Sequence, residues 1–177
     1  EATEILSELL KIDTTNPPGN ETLAAKVLAE HLEKEGVKCE VLESALGRGS
    51  IITRIKGEGT APSLLLLSHL DVVPAVAKEW SVPPFSGVVK DDCVWGRGAL
   101  DCKSLTAIEA TVMKLLKKEA AKPKGDIIFA ATADEERGGK QGVGWLVKNH
   151  PEKIRADYVI NEGGGFSFPI NSKHVFT

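Results

Sequence analysis

Cysteine is scarce in this 177-residue chain, and its three copies, Cys39, Cys93 and Cys102, form no CxxC pair. An odd, dispersed set is poor material for a disulfide framework or a thiolate zinc site. It fits a reducing compartment, so a cytoplasmic location is expected. Long apolar runs are missing too. Stretches such as Leu64 to Leu67 fall far short of the roughly 20 residues of a membrane span, and His69 and Asp71 follow at once. Nor is there an excess of positive charge. The 22 basic residues against 25 acidic ones leave a net charge of −3, which excludes a basic footprint for nucleic acid. The chain also lacks internal repeats, low-complexity segments and linkers. What remains is ordinary globular material, 42% hydrophobic and 27% charged, enough for one domain with a sizeable core.

The hydrophobic pattern alternates between helical and strand periods. Ile5, Leu6, Leu9 and Leu10 make a helical face, and Asn16-Pro17-Pro18-Gly19 then breaks the chain. Ala24, Val27, Leu28 and Leu32 predict a second helix over about residues 21–35, stopped by Gly36. Residues 37–42 and 50–56 read as strands, and Leu64 to Leu67 as a strand buried on both faces. A hairpin around Lys90-Asp91-Asp92 follows. Between Ser104 and Lys118, the residues Leu105, Ile108, Val112, Leu115 and Leu116 recur at helical spacing. Ile127, Ile128 and Phe129 mark a second buried strand. Gly142 to His150 reads as a helix halted by Pro151, and Tyr158 to Ile160 as a third buried strand. This alternation predicts an α/β fold, a three-layer sandwich with a mainly parallel central sheet. Such sheets place ligand sites outside the carboxyl ends of their strands.

The residues after those strands are therefore informative. Ser68-His69-Leu70-Asp71 follows the first, Asp134-Glu135-Glu136 the second and Asn161-Glu162-Gly163-Gly164 the third. Asp101 closes Gly96-Arg97-Gly98-Ala99-Leu100-Asp101, just before the next helix. If the strands are neighbours, these acids converge, and they stay ionised together only with cations among them or by spreading into solvent. One imidazole with several carboxylates suits zinc or a similar divalent ion. In extended chain alternate residues point the same way. Asp71 can thus reach the far ring nitrogen of His69, fixing its tautomer.

The same motifs, in the same order, resemble those of the M20 family of zinc peptidases and deacylases, a zinc-exopeptidase-like fold. They are Ser68-His69-Leu70-Asp71-Val72-Val73-Pro74, Gly96 to Lys103, Asp134 to Gly139 and Asn161 to Gly164. Asn16-Pro17-Pro18-Gly19-Asn20-Glu21 also resembles the family's N-terminal segment. The resemblance implies zinc as one or two ions, with cobalt as a substitute. It implies that Asp101 bridges the metals, that His69 and Glu162 complete one ion's protein ligands, and that Glu136 binds the other. Asp71 would orient His69, Glu135 would be general base and acid, and the bond after Asp101 would be cis. The implied substrate is a small peptide or an N-acyl amino acid. Cys102 stands where the family often has Met or Asn. A further histidine ligand and a lid or dimerisation domain have no match here: His31, His150 and His174 do not fit the role. Residues 1–177 are therefore expected to be part of a metal-binding catalytic domain, with the missing histidine beyond Thr177 and the full-length chain a homodimer.

Two rivals are weaker. A dinucleotide site fails because Asp101 stands where the fingerprint after Gly96 and Gly98 wants glycine. A non-catalytic metal-binding or assembly module on a hydrolase fold is opposed by the intact Glu135 and the four ligand positions.

Overall fold

The computed structural model describes residues 1–163, together with the backbone of the strands Ser167–Ile170 and Lys173–Phe176. Helix α1 (Ala2–Leu10) buries Ile5, Leu6, Leu9 and Leu10, the stripe that its sequence spacing marks. Helix α2 (Glu21–Lys34) buries Ala24, Ala25, Leu28 and Leu32. It stops before Gly36, whose φ of 75° is left-handed and favours glycine. His31 is a packing residue. Its Nε2 lies 2.8 Å from Glu8 Oε2 and ties the two helices together.

Among the described residues, five strands make the main sheet: β1 (Cys39–Glu43), β2 (Gly49–Ile55), β3 (Leu64–His69), β6 (Ile127–Thr132) and β7 (Tyr158–Ile160), in the order β1-β2-β6-β3-β7. β6 and β3 pair in parallel, as do β3 and β7, whereas β2 runs antiparallel to both of its neighbours. Among the described residues, four of the five sheet strands thus share one direction and β2 alone is reversed. A hairpin of β4 (Val88–Lys90) and β5 (Cys93–Trp95) turns through Asp91 and Asp92, whose φ values of 54° and 57° match a two-residue turn of the hand that suits a twisted ribbon. β8 (Ser167–Ile170) and β9 (Lys173–Phe176) form a second hairpin. His174 falls in β9, and its side chain lies outside the described residues.

Alternation along the strands divides the core. Ile51, Leu66, Phe129 and Ala131 pack against α1, α2 and α3 (Lys103–Lys118) on one face. Ile52, Leu65, Ile128 and Ala130 meet Leu146 of α4 (Val143–Asn149) and Ile154 of α5 (Pro151–Ile154) on the other. That is the three-layer arrangement. Pro151 ends α4 and, as the first residue of α5, also begins the next helix.

Two expectations change. The apolar residues that signal α3 are not the ones it buries: Ile108, Val112 and Leu115 are 54%, 39% and 47% exposed, while Ala107, Ala110 and Met113 face the core. Small side chains let the helix lie close to the sheet. β7 is a strand of the sheet but not a buried one, with Tyr158, Val159 and Ile160 at 64%, 55% and 50% exposure. It is an edge strand, paired only with β3 among the described residues. Among these residues no helix is long and apolar enough to cross a membrane.

Candidate metal centre

The parallel strands deliver the site. His69 ends β3 and pairs with Thr132 at the end of β6, and Glu162 follows β7. The loops after these strands therefore leave the sheet along one edge. Asp101 reaches the same place from the loop before α3, and its bond to Cys102 is cis, as the family resemblance implies.

His69 lies at the centre, with its side chain 1% exposed. Its Nδ1 sits 2.9 Å from the Asp71 carbonyl oxygen and 3.4 Å from Asp71 Oδ1. A proton on Nδ1 donates to that carbonyl and leaves the Nε2 lone pair free to face the other acids. Nε2 is 3.1 Å from Asp101 Oδ1, 3.1 Å from Glu162 Oε1 and 3.8 Å from Glu135 Oε2. Burial opposes a charged imidazole here, but the contacts with Asp71, Cys102 and Glu162 outweigh it and push His69 up to about 12. A proton held so firmly marks strongly negative potential at Nε2. A divalent cation is the other means of supplying positive charge there.

Ligand atoms of His69, Asp101, Cys102 and Glu162 all lie within 4.8 Å of one another. An imidazole with carboxylates is the donor chemistry of a divalent transition metal, so the residues present fit such an ion. Cys102 accepts the His69 backbone N–H at 3.2 Å, and burial raises its thiol pKa, which marks a neutral packing group. Glu136 is not among those four. It lies within their field: burial and then repulsion from Asp101 raise its carboxyl. Burial also raises Glu162, with His69 opposing.

Glu135 and Glu136 sit on a single 3-10 turn, Glu135–Arg137, entered through Asp134 at a left-handed φ of 67°. The Glu135 and Glu136 amides donate to Asp71 Oδ1 and Oδ2 at 3.0 and 3.2 Å. One buried carboxylate thus steadies both the histidine and this loop. Burial works against the Asp71 charge, yet His69, Asn16 and the Glu135 amide together hold its carboxyl below the ordinary range. At the far end of the loop, a Cβ on Gly142 would stand 1.7 Å from the Ala133 carbonyl oxygen, so that approach needs glycine. A cavity of about 270 Å³ opens beside His69, lined by Glu135, Glu162, Thr132, Asn161 and Val143 among others.

Of the six residues the sequence singles out, His69 lies against Asp71, Asp101, Glu135 and Glu162, while Glu136 is joined to this group through its backbone amide on Asp71. The charges behind them are not among the residues the sequence singles out. Arg48 is buried, with Nη2 donating to Glu21 Oε1 at 2.8 Å and to Asp134 Oδ1 at 3.0 Å. Its partners lie 27 and 86 residues away along the chain, and no local pattern announces them. Lys103 is also fully buried. Its Nζ donates to the carbonyls of Leu9 and Ile12 at 3.0 and 2.9 Å, and burial presses its pKa down to about 8. Its place directly after Asp101-Cys102 was the available signal.

Residues 65–171 match the model of peptidase family M20/M25/M40. Aminoacylase-1 of Sus scrofa is 33% identical over 97% of this chain and 42% of its own length. The N-fatty-acyl-amino acid synthase/hydrolase PM20D1 of Xenopus tropicalis is 31% identical over 90% of this chain and 33% of its own length. Among solved structures, the M20 family metallo-carboxypeptidase Sso-CP2 of Sulfolobus solfataricus superposes with a TM-score of 0.79 at 28% identity, covering 93% of this chain and 38% of that one. The chain spans less than half the length of the relatives it matches. A histidine ringed by acids at the carboxyl edge of a three-layer sheet and a family match over most of the chain lead to one conclusion: the chain belongs to peptidase family M20/M25/M40.

Proposed function

We propose that this chain is part of the metal-binding catalytic domain of a zinc-dependent hydrolase that cleaves the amide bond of a small peptide or an N-acyl amino acid. The observation that carries this reading is His69 Nε2 at 3.1 Å from both Asp101 and Glu162, beside a cavity that Glu135 also lines. The names of the relatives, an aminoacylase and a metallo-carboxypeptidase, support the same bond class. In this reading His69, Asp101 and Glu162 would hold one ion, and Asp101 and Glu136 would contribute to a second. Cobalt is the natural substitute. When bound, the metal would supply a Lewis acid that polarises the scissile carbonyl and makes water more acidic.

The chain's own residues do the rest. Asp71 holds the His69 ring with Nε2 facing the acids. Glu135 has a half-exposed carboxylate 3.8 Å from His69 Nε2, outside the group of four ligand atoms. It takes the proton of the attacking water and returns it to the leaving amine nitrogen. Free cysteines support a cytoplasmic location, and the small negative net charge supports a small-molecule substrate over a nucleic acid or membrane partner. The full-length chain is read as a homodimer.

The test is a hydrolysis screen of dipeptides and N-acylated amino acids with the full-length zinc protein and its Glu135→Gln variant. Turnover by the parent is expected. In the variant, kcat should fall by at least about 10²-fold with metal content unchanged, the low end for a positioned general base. Near-normal kcat would remove Glu135 from this role, and lost metal would make it a ligand instead.

A further inference from the structure

The segment 14–20 contributes nothing to the proposed ligand set, yet it is built into the site. The Asn16 N–H donates to the Val72 carbonyl at 2.9 Å, and the Val72 N–H to the Thr14 carbonyl at 3.2 Å. Thr14 Oγ1 donates to the Leu70 carbonyl at 2.7 Å. These bonds lay residues 14–16 along residues 70–72 and bring the Asn16 side chain, in a residue 3% exposed, behind Asp71. Its Nδ2 lies 2.7 Å from Asp71 Oδ2 and 3.1 Å from Asp134 Oδ1. An amide nitrogen has two hydrogens, one for each acid.

The other side of the amide is specified as well. Arg48 Nη1 donates to Asn16 Oδ1 at 3.3 Å and to the Pro18 carbonyl at 2.6 Å. The guanidinium thereby turns the amide oxygen towards itself and the nitrogen towards the two carboxylates. Each of those carboxylates grips one end of the Glu135 loop. Asp71 accepts the Glu135 and Glu136 amides, and Asp134 Oδ2 accepts the Gln141 amide at 3.0 Å. Only a side chain that accepts on one side and donates twice on the other satisfies all three neighbours. An aspartate would set a third carboxylate against two others.

We propose that Asn16 is a positioning residue of the site: its amide clamps Asp71 to Asp134 and so fixes the loop that places Glu135 beside His69. The catalytic part of this inference rests on the hydrolase reading, whereas the clamp itself does not. The experiment compares Asn16→Ala and Asn16→Asp with the parent in the zinc-loaded full-length protein, by hydrogen exchange of individual amides, zinc content and steady-state kinetics. Glu135 and Glu136 amides should lose protection by about tenfold or more, the scale of one charge-assisted hydrogen bond, while amides of β3 and β6 keep theirs. Zinc content should hold. On any substrate the parent turns over, kcat should fall about tenfold with KM changed far less, the signature of a displaced group rather than a weakened binding site. If Asn16→Asp does not fold, Asn16→Ala carries the test. Unchanged protection at Glu135 and Glu136 would overturn the proposal. So would a uniform loss across loop and sheet, which marks a merely structural residue. A parent with no turnover refutes the hydrolase reading alone, because the exchange measurement needs none.

Discussion

Replacing Glu109 with methionine should stabilise the protein, and by more above neutral pH than below it. Glu109 is 3% exposed on the inward face of α3, and among the described residues neither of its carboxylate oxygens has a hydrogen-bond partner of good geometry. Burial lifts its carboxyl from an ordinary 4.5 to about 7, and the nearby Ser68 hydroxyl offsets only part of that. Between those pH values the folded chain keeps a proton that the unfolded chain has released. Stability from this group is therefore greatest below about pH 4.5, declines as pH rises through about 7, and is fully lost only above that. At about 1.4 kcal/mol per pH unit, the interval amounts to about 3 kcal/mol. Methionine has similar bulk and no charge to desolvate. Urea unfolding of both proteins from about pH 4.5 to about pH 8 measures the difference. The titration of the site acids is common to both and cancels in the comparison. The advantage of Glu109→Met should grow by about 3 kcal/mol across the range and then level off. A difference that stays flat with pH would refute the reasoning, because it would mean that Glu109 is already solvated or paired.

Other perturbations probe the core and the site. Phe129→Ala empties a fully buried position in the central strand and should cost about 3–5 kcal/mol in chemical unfolding. Gly142→Ala forces a Cβ to within 1.7 Å of the Ala133 oxygen, so the Glu135 loop must shift. A crystal structure of the variant should show that displacement, and an unmoved loop would contradict it. Asp71→Ala should weaken zinc binding by about 10–100-fold, read by competition with a chromophoric chelator, since it orients the imidazole. If His69 ligates zinc as proposed, the ion would have to displace the proton that the surrounding acids hold on the ring, so apparent affinity should rise with pH through the neutral range. Calorimetric titration at several pH values checks that slope. Chelation should lower Tm, and added zinc should restore it.

Much of this was legible in the chain alone. Apolar runs such as Leu64 to Leu67 and Ile127 to Phe129 announced strands, and their periodicity is local, so it survives without tertiary information. The acids and the histidine were legible because strand ends are where α/β sheets place ligands, and because four ordered motifs carried a family resemblance. The inward face of α3 was not legible. Its larger apolar residues set the helical period, but how closely a helix packs on a sheet selects small ones, and Ala107 and Ala110 won. The exposure of β7 was hidden for a related reason: an apolar run fixes strand character, whereas the neighbours on each side decide burial.

Sequence by itself determined the residue types, their order and the edge of the sheet on which they meet. Tertiary structure alone decided who stands behind them. Arg48, Glu21, Asn16 and Asp134 come from a loop, a helix and two chain turns with no common period, and they become partners only when the sheet brings those segments together. Buried charges must find partners wherever folding puts them, because the cost of leaving them unpaired is large and independent of sequence distance.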